Sequence, residues 1–289
     1  MPEKGAKELT FSYSCVLDFR TEKHYTILIV EKCFHSEEVM IKKWQIKIPE
    51  LSGQKQRWAY IYLPDDWKKS GKRYPVMYMF DGHNVFYDSD ATYGKSWGMG
   101  EYMDSTKKQM IIVAVECNHE GHKRLEEYCP MDVTFPDAGA IQGKGKVYMD
   151  WLVGTLKKYI DTHYPTQPDR DNTIICGSSM GGLMALYGAC EYNHVFKKAA
   201  CLSPSFWVSK DKVLQIVTHA EMDTDSCIYI DYGSVELPSH SLNSEALISV
   251  ARSLLTKRVN VALRIIPGGT HSERSWEKQI PQFMEYLGL

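Results

Sequence analysis

The stretch TIICGSSMGGLMALYG, from Thr173 to Gly188, constrains the fold more than any other part of the chain. Thr173 to Cys176 is β-branched and apolar, as a buried strand would be, and Met180 to Cys190 carries the small and unbranched residues a helix prefers. Only Gly177-Ser178-Ser179 separates the two, so the chain must turn sharply from strand to helix. Small residues on either side let the elements approach and hold Ser179 in a strained backbone conformation at the apex. A serine held there projects above the sheet. The N–H of Met180 and the positive end of the helix dipole lie beside it. The pattern G-x-S-x-G alone is equally satisfied by a glycine-rich turn whose serines cap a helix, so its meaning depends on what the rest of the chain supplies.

Periodicity and turn residues place strands at Val39–Ile48, Arg57–Leu63, Pro75–Phe80, Met110–Glu116, Asn172–Cys176, Lys198–Ser203, Cys227–Tyr232 and Asn260–Pro267. The first two alternate and are joined by the turn Ser52-Gly53-Gln54, as in an antiparallel pair. The later ones are continuous apolar runs of the kind covered on both faces of a parallel sheet. Helical patterns at Val147–His163, Met180–Glu191, Lys210–His219, Ser241–Lys257 and Arg274–Leu287 alternate with them. This is the layout of an α/β-hydrolase fold: an eight-stranded, mostly parallel sheet with an antiparallel start and helices on both faces, the turn at Ser179 ending the fifth strand. Residues 39–289 form the expected catalytic domain. Residues 1–38 form an N-terminal extension with a further strand-like run at Thr26–Glu31. The connections Gly82–Gln109 and Cys117–Lys146 fall where substrate-contacting loops lie.

With 44% hydrophobic residues in 289, the chain can build one large core. A formal net charge of −2 gives no reason to expect nucleic acid or an anionic membrane surface. No apolar leader opens the chain and no run is long enough to span a bilayer, so a cytoplasmic protein is expected. The eight cysteines agree with that, since Cys117, Cys176, Cys190, Cys201 and Cys227 lie in or beside apolar segments as buried thiols would. They form no C-x-x-C pair and show no metal-ligand spacing, so neither a metal nor a cofactor is expected.

A serine hydroxyl needs a base, and imidazole is the usual one at neutral pH. Of ten histidines, His271 lies in the loop after the last strand, where this fold places the base. The carboxylate that fixes the imidazole tautomer should come from the loop after the seventh strand, which offers Asp231 and Glu236. Asp231 is still within the strand pattern, whereas Glu236 lies past the glycine and is preferred. An oxyanion hole requires two donors: the N–H of Met180, and a second from Asp81-Gly82-His83-Asn84 after the third strand, assigned to His83 with Asn84 as its neighbour. The competing reading of that segment is a plain Asp-Gly turn.

The segments YMFDGHNVF, RLEEYCP, GSSMGGLMALY, LSPSFW, YIDYGSVE and GGTHSERSW resemble the putative-esterase branch of the α/β hydrolases over roughly Trp58 to Leu289. That branch includes siderophore (enterobactin-type) esterases, feruloyl and acetyl esterases and S-formylglutathione hydrolases. The resemblance matches Glu236 to the acid, His271 to the base and Ser203–Trp207 to a pocket wall. The turn after the third strand reads Asp-Gly where many members have His-Gly, which is closer to the siderophore-esterase-like members. The function implied is a cofactor-free serine ester hydrolase acting on a small-molecule ester through an acyl-enzyme. The rival readings are a binding protein on a hydrolase scaffold and a thioester or peptide hydrolase. Trp97 and Trp207 are candidates for the substrate pocket, with Tyr102 and Phe206 in neighbouring positions and Trp276 a weaker one. Arg124 reads either as the ion-pair partner of Glu127 or as a substrate contact.

Overall fold

Runs of Val, Ile, Ala and aromatic residues assemble into one eight-stranded sheet: β1 Ile41–Lys47, β2 Gln56–Tyr62, β3 Val76–Met79, β4 Ile111–Val115, β5 Thr173–Ser178, β6 Lys198–Leu202, β7 Cys227–Gly233 and β8 Asn260–Ile266. The structure is a computed structural model that describes residues 16–17, 29–30, 40–135, 137–236 and 240–289. The order across the sheet is β8-β7-β6-β5-β3-β4-β2-β1. β2 runs antiparallel to both of its neighbours, β1 and β4, and every other pairing in this sheet is parallel. The eight strands match the sequence expectation to within one or two residues at each end.

Side chains alternate across each strand, so the sheet divides the core into two layers. Val76 and Tyr78 of β3 join Ile175, Leu183, Leu186 and Val250 on one face, while Met77 and Met79 join Cys176, Met103, Ile280 and Phe283 on the other. This two-sided burial is why the central strands read as unbroken apolar runs. The helix Met180–Glu191 is buried from Met180 through Cys190, which packs the residues just after Ser179 rigidly against the sheet.

The helices at Met180–Glu191 and Lys210–His219 have the expected limits, and that expected at Ser241–Lys257 runs from His240 to Thr256. The helix expected at Val147–His163 starts at Gly145 and contains a wider, π-type turn over Leu152–Lys157, whose buried Lys157 reaches Asp161 (2.7 Å) and the Pro168 carbonyl (2.9 Å). The single helix expected at Arg274–Leu287 is two, Glu273–Glu277 and Ile280–Tyr286, because Pro281 lacks the N–H an interior position needs and fits only the first turn of a new helix. The connections also hold a helix at Met99–Thr106 and a hairpin pairing Val133–Phe135 with Gly139–Ile141. Within the extension Ile29–Val30 pairs antiparallel with Val16–Leu17, and the rest of the Thr26–Glu31 run lies outside the described residues. Among the described residues no helix is long and apolar enough to cross a membrane.

Candidate active site

β5 ends at Ser178 and the next helix starts at Met180, so Ser179 alone makes the turn, at φ 57° and ψ −123°. That conformation is costly for a residue with a Cβ. It is enforced by close packing: a Cβ on Gly177 would lie 2.5 Å from the Gly181 carbonyl oxygen, and one on Gly181 would lie 2.9 Å from Phe80 Cβ. β6 completes the support. The Ser179 N–H donates to the Leu202 carbonyl (3.0 Å), and the Ser179 carbonyl accepts from the Ser205 N–H (3.0 Å). Met180, as the first helical residue, keeps an N–H for which the helix offers no acceptor. The Ser179 side chain is half-buried, and its Oγ lies 3.3 Å from Ser205 Oγ.

The loops after β7 and β8 are joined to each other. The Ser234 N–H donates to the Ile266 carbonyl and the Val235 N–H to the Gly269 carbonyl. A Cβ on Gly233 would overlap the Gly269 carbonyl, so only glycine lets the loops meet. This contact brings Glu236 Oε2 within 2.9 Å of His271 Nδ1. Glu236 is 4% exposed, and its other oxygen accepts from the Gly233 N–H (2.7 Å) and the Ser203 hydroxyl (2.5 Å). Ser203 Oγ in turn accepts from Trp276 Nε1 (2.9 Å), and the Trp276 ring stands edge-on to the His271 ring at 5.1 Å. The imidazole is thus oriented through Nδ1 and by an aromatic wall. Among the described residues no hydrogen bond joins it to Ser179.

Asp231 has a different environment. It is 1% exposed, its Oδ1 accepts from the Ser203 N–H (3.2 Å), and its Oδ2 has no partner. Burial pushes its pKa up to about 7. Of the two carboxylates weighed from sequence, Glu236 touches the imidazole and Asp231 braces the backbone of Ser203.

Next to β5, the chain leaves β3 through Asp81, at φ 55° and ψ 52°. Gly82 is required there by the end of β4, since a Cβ would lie 2.8 Å from backbone atoms of Ala114 and Val115. The Asp81 carboxylate is clamped by Arg124 through two bonds, Nε to Oδ1 and Nη2 to Oδ2, both 2.7 Å. Burial works to raise the Asp81 pKa, but the guanidinium outweighs it and holds the carboxyl below its ordinary value. The expected pairing of Arg124 with Glu127 is therefore corrected: Glu127 instead receives Arg57 Nη1 (2.9 Å) and the Asn118 N–H (2.7 Å). His83 follows in a short 3₁₀ turn, with a buried ring. Asn84 reaches across to Glu273 (3.2 Å), tying this turn to the helix beside His271.

The aromatic candidates lie at different depths. Trp97 is 3% exposed and packs against Trp276 with ring centres 5.9 Å apart, so it backs the wall rather than forming its surface. Tyr102 is half-buried and Phe206 fully buried. Trp207 is 41% exposed and stands edge-on to Phe135 of the hairpin. A cavity of about 520 Å³ opens between that hairpin and Val208–Lys212; Ser179 and His271 do not line it.

Residues 52–287 match the model of the family described as Putative esterase. The chain belongs to that family. It is an esterase-family serine hydrolase of the α/β-hydrolase fold. It is 21% identical over 241 residues to the uncharacterized protein YbbA of Bacillus subtilis, covering 78% of this chain and 90% of that one. Among solved structures it resembles a ferulic acid esterase (TM-score 0.65, 18% identity, 86% of this chain and 96% of the other). It also resembles the enterobactin esterase FES of Shigella flexneri (TM-score 0.66, 16% identity, 87% and 60%). In this member of the family, sequence reasoning placed Ser203 and Ser205 in a pocket wall without their contacts to Glu236 and Ser179, and missed Glu273. Each acts on a residue far away in the chain, and the SPS run at Ser203-Pro204-Ser205, just past an apolar strand, was the one available signal.

Proposed function

We propose that the protein hydrolyses carboxylic esters of short-chain or aromatic acids, of the acetyl, feruloyl or siderophore type, through an acyl-enzyme on Ser179. His271 Nε2 takes the hydroxyl proton as Ser179 Oγ attacks the ester carbonyl, and Glu236 holds the Nδ1 proton and balances the imidazolium charge. The N–H groups of Met180 and His83 receive the oxyanion. His271 then gives its proton to the departing alcohol. Water, activated by the same imidazole, releases the acid. No cofactor takes part.

The observation that carries this reading is the strained Ser179 at the mouth of a buried helix, together with a histidine whose Nδ1 is already engaged by a buried carboxylate. The exposed Trp207, on the segment that follows β6, supports a flat or short acyl group as the substrate. Six free cysteines among the described residues, five of them buried, support a reducing, cytoplasmic setting. The test is single-turnover reaction with acetyl, butyryl, feruloyl and catecholate esters, with the acyl-enzyme detected by mass. The expected result is an adduct mapping to Ser179 that is absent from Ser179→Ala. Turnover of these esters by Ser179→Ala within about tenfold of wild type would overturn the proposal.

A further inference from the structure

Where β4 ends beside the Asp81 turn, three side chains capable of binding a metal converge. One nitrogen of His83, one of His119 and the sulfur of Cys117 lie within 4.8 Å of one another. Hydrogen bonds sort the nitrogens. His83 Nε2 is 3.0 Å from Thr92 Oγ1, whereas its Nδ1 is buried without a hydrogen-bond partner, on a residue only 5% exposed. His119 Nε2 is 3.1 Å from Glu116 Oε1, and its Nδ1 is 3.9 Å from Cys117 Sγ. A ligating imidazole orients itself by donating its second nitrogen to a carboxylate or similar acceptor, and both histidines have such a partner. A buried nitrogen left without a partner costs free energy unless something occupies the site.

We propose that His83 Nδ1, Cys117 Sγ and His119 Nδ1 bind a borderline-soft divalent cation, zinc above all, with water as the fourth ligand. Zinc–sulfur and zinc–nitrogen bond lengths in a tetrahedron put ligand atoms about 3.3–3.6 Å apart. The Cys117–His119 separation is close to that spacing, and the wider span closes by a movement on the order of 1 Å. His119 can supply that movement, since its side chain is 51% exposed, and its exposure also gives the ion a path from solvent. On binding, the Cys117 S–H bond breaks, a sulfur–zinc bond forms, and one proton is released to solvent per ion. The ion ties the turn after β3 to the loop after β4. The spacing Cys117-Asn118-His119 with a distant His83 matches no short metal motif, so no metal was expected from residue spacing alone.

The test is direct binding to the metal-stripped full chain. Titration with zinc against a chromophoric chelator should show one ion per chain, with affinity at least about tenfold weaker in Cys117→Ser and in His119→Ala. Cobalt(II) should give a thiolate-to-metal charge-transfer band that Cys117→Ser lacks, and His271→Ala should bind as wild type does. Circular dichroism and turnover of an activated acetyl ester check that Cys117→Ser and His119→Ala are folded, and keep this proposal separate from that for Ser179. No saturable zinc uptake by the wild type in the micromolar range, or unchanged affinity in both variants, would overturn it.

Discussion

Replacing Glu236 by glutamine tests the proposed acid with almost no change of shape, and the surroundings dictate which way the amide must face. Glu236 Oε1 receives two donors, the Gly233 N–H and the Ser203 hydroxyl. The Gly233 N–H can only donate, and Ser203 Oγ, which accepts from Trp276 Nε1, directs its own hydrogen to the same oxygen. The amide oxygen of Glu236→Gln must therefore stay on that side and its NH₂ must point at His271 Nδ1. A donor at that place favours the imidazole that carries its proton on Nε2, which cannot take the proton of Ser179. A wrong tautomer of this kind costs up to about 10⁴-fold in kcat, or about 5 kcal/mol; partial rearrangement leaves an expected loss of at least about a hundredfold. Asp231→Asn is the control. Its Oδ1 can still accept from the Ser203 N–H, and the native carboxyl is already held near half-protonation at neutral pH, so its kcat should stay within about tenfold of wild type. The assay is kcat for an activated acetyl ester over pH 6–9, as a range of about 3 units around neutrality. A larger loss in Asp231→Asn than in Glu236→Gln would refute the reasoning.

Asp231 should instead appear in stability. Its folded pKa of about 7 lies above the ordinary 3.8, so the native state binds more protons between those values. The stabilisation is complete below about pH 4 and falls away up to about pH 7, by as much as about 4 kcal/mol; the Tm difference between wild type and Asp231→Asn should shrink over that window, and a constant difference would contradict it. Ser179→Gly relieves the backbone strain that Ser179→Ala keeps, so by urea unfolding it should be more stable than Ser179→Ala by about 1 kcal/mol while neither turns over; equal midpoints would argue against strain. Trp207→Ala should leave Tm nearly unchanged and lower the ratio of aromatic-acyl to acetyl kcat/KM by at least about tenfold, and an unchanged ratio would remove Trp207 from the pocket.

The central strands and the Met180–Glu191 helix were legible because their signals are local: two-sided burial makes the middle of each strand from β3 to β6 apolar, and one glycine-flanked turn leaves the chain few options. Pro281 was an equally local signal, but the apolar periodicity on both sides of it was read as one helix, and the break between the last two helices went unread. The helix Met99–Thr106 was not legible, since MGEYMDST mixes glycine, acid and hydroxyl residues with only a short apolar stripe. In the candidate site, order along the strands was enough to expect Ser179 at the turn and Glu236 beside His271, and the structure has both. Arg124 could not be placed, because its two possible acids, Asp81 and Glu127, differ in depth and in competing partners, which only the packed structure determines. The convergence of His83 with Cys117 and His119 is equally invisible from spacing, since it depends on β3 and β4 lying side by side.

The proposed nucleophile and the proposed base differ in how firmly they are held. Ser179 hangs between a fully buried strand and a helix buried from Met180 through Cys190. His271 follows β8, which among the described residues lies at the edge of the sheet with β7 as its one neighbour and carries exposed Arg264 and Ile265. Opening free energies within a native protein range from near zero at poorly packed margins to the global value at the centre. The margin can therefore loosen and carry the imidazole away while the elbow stays intact. Heat resistance of the catalyst would then be governed by how tightly one peripheral strand adheres, and strengthening the central core further would leave its working temperature unchanged.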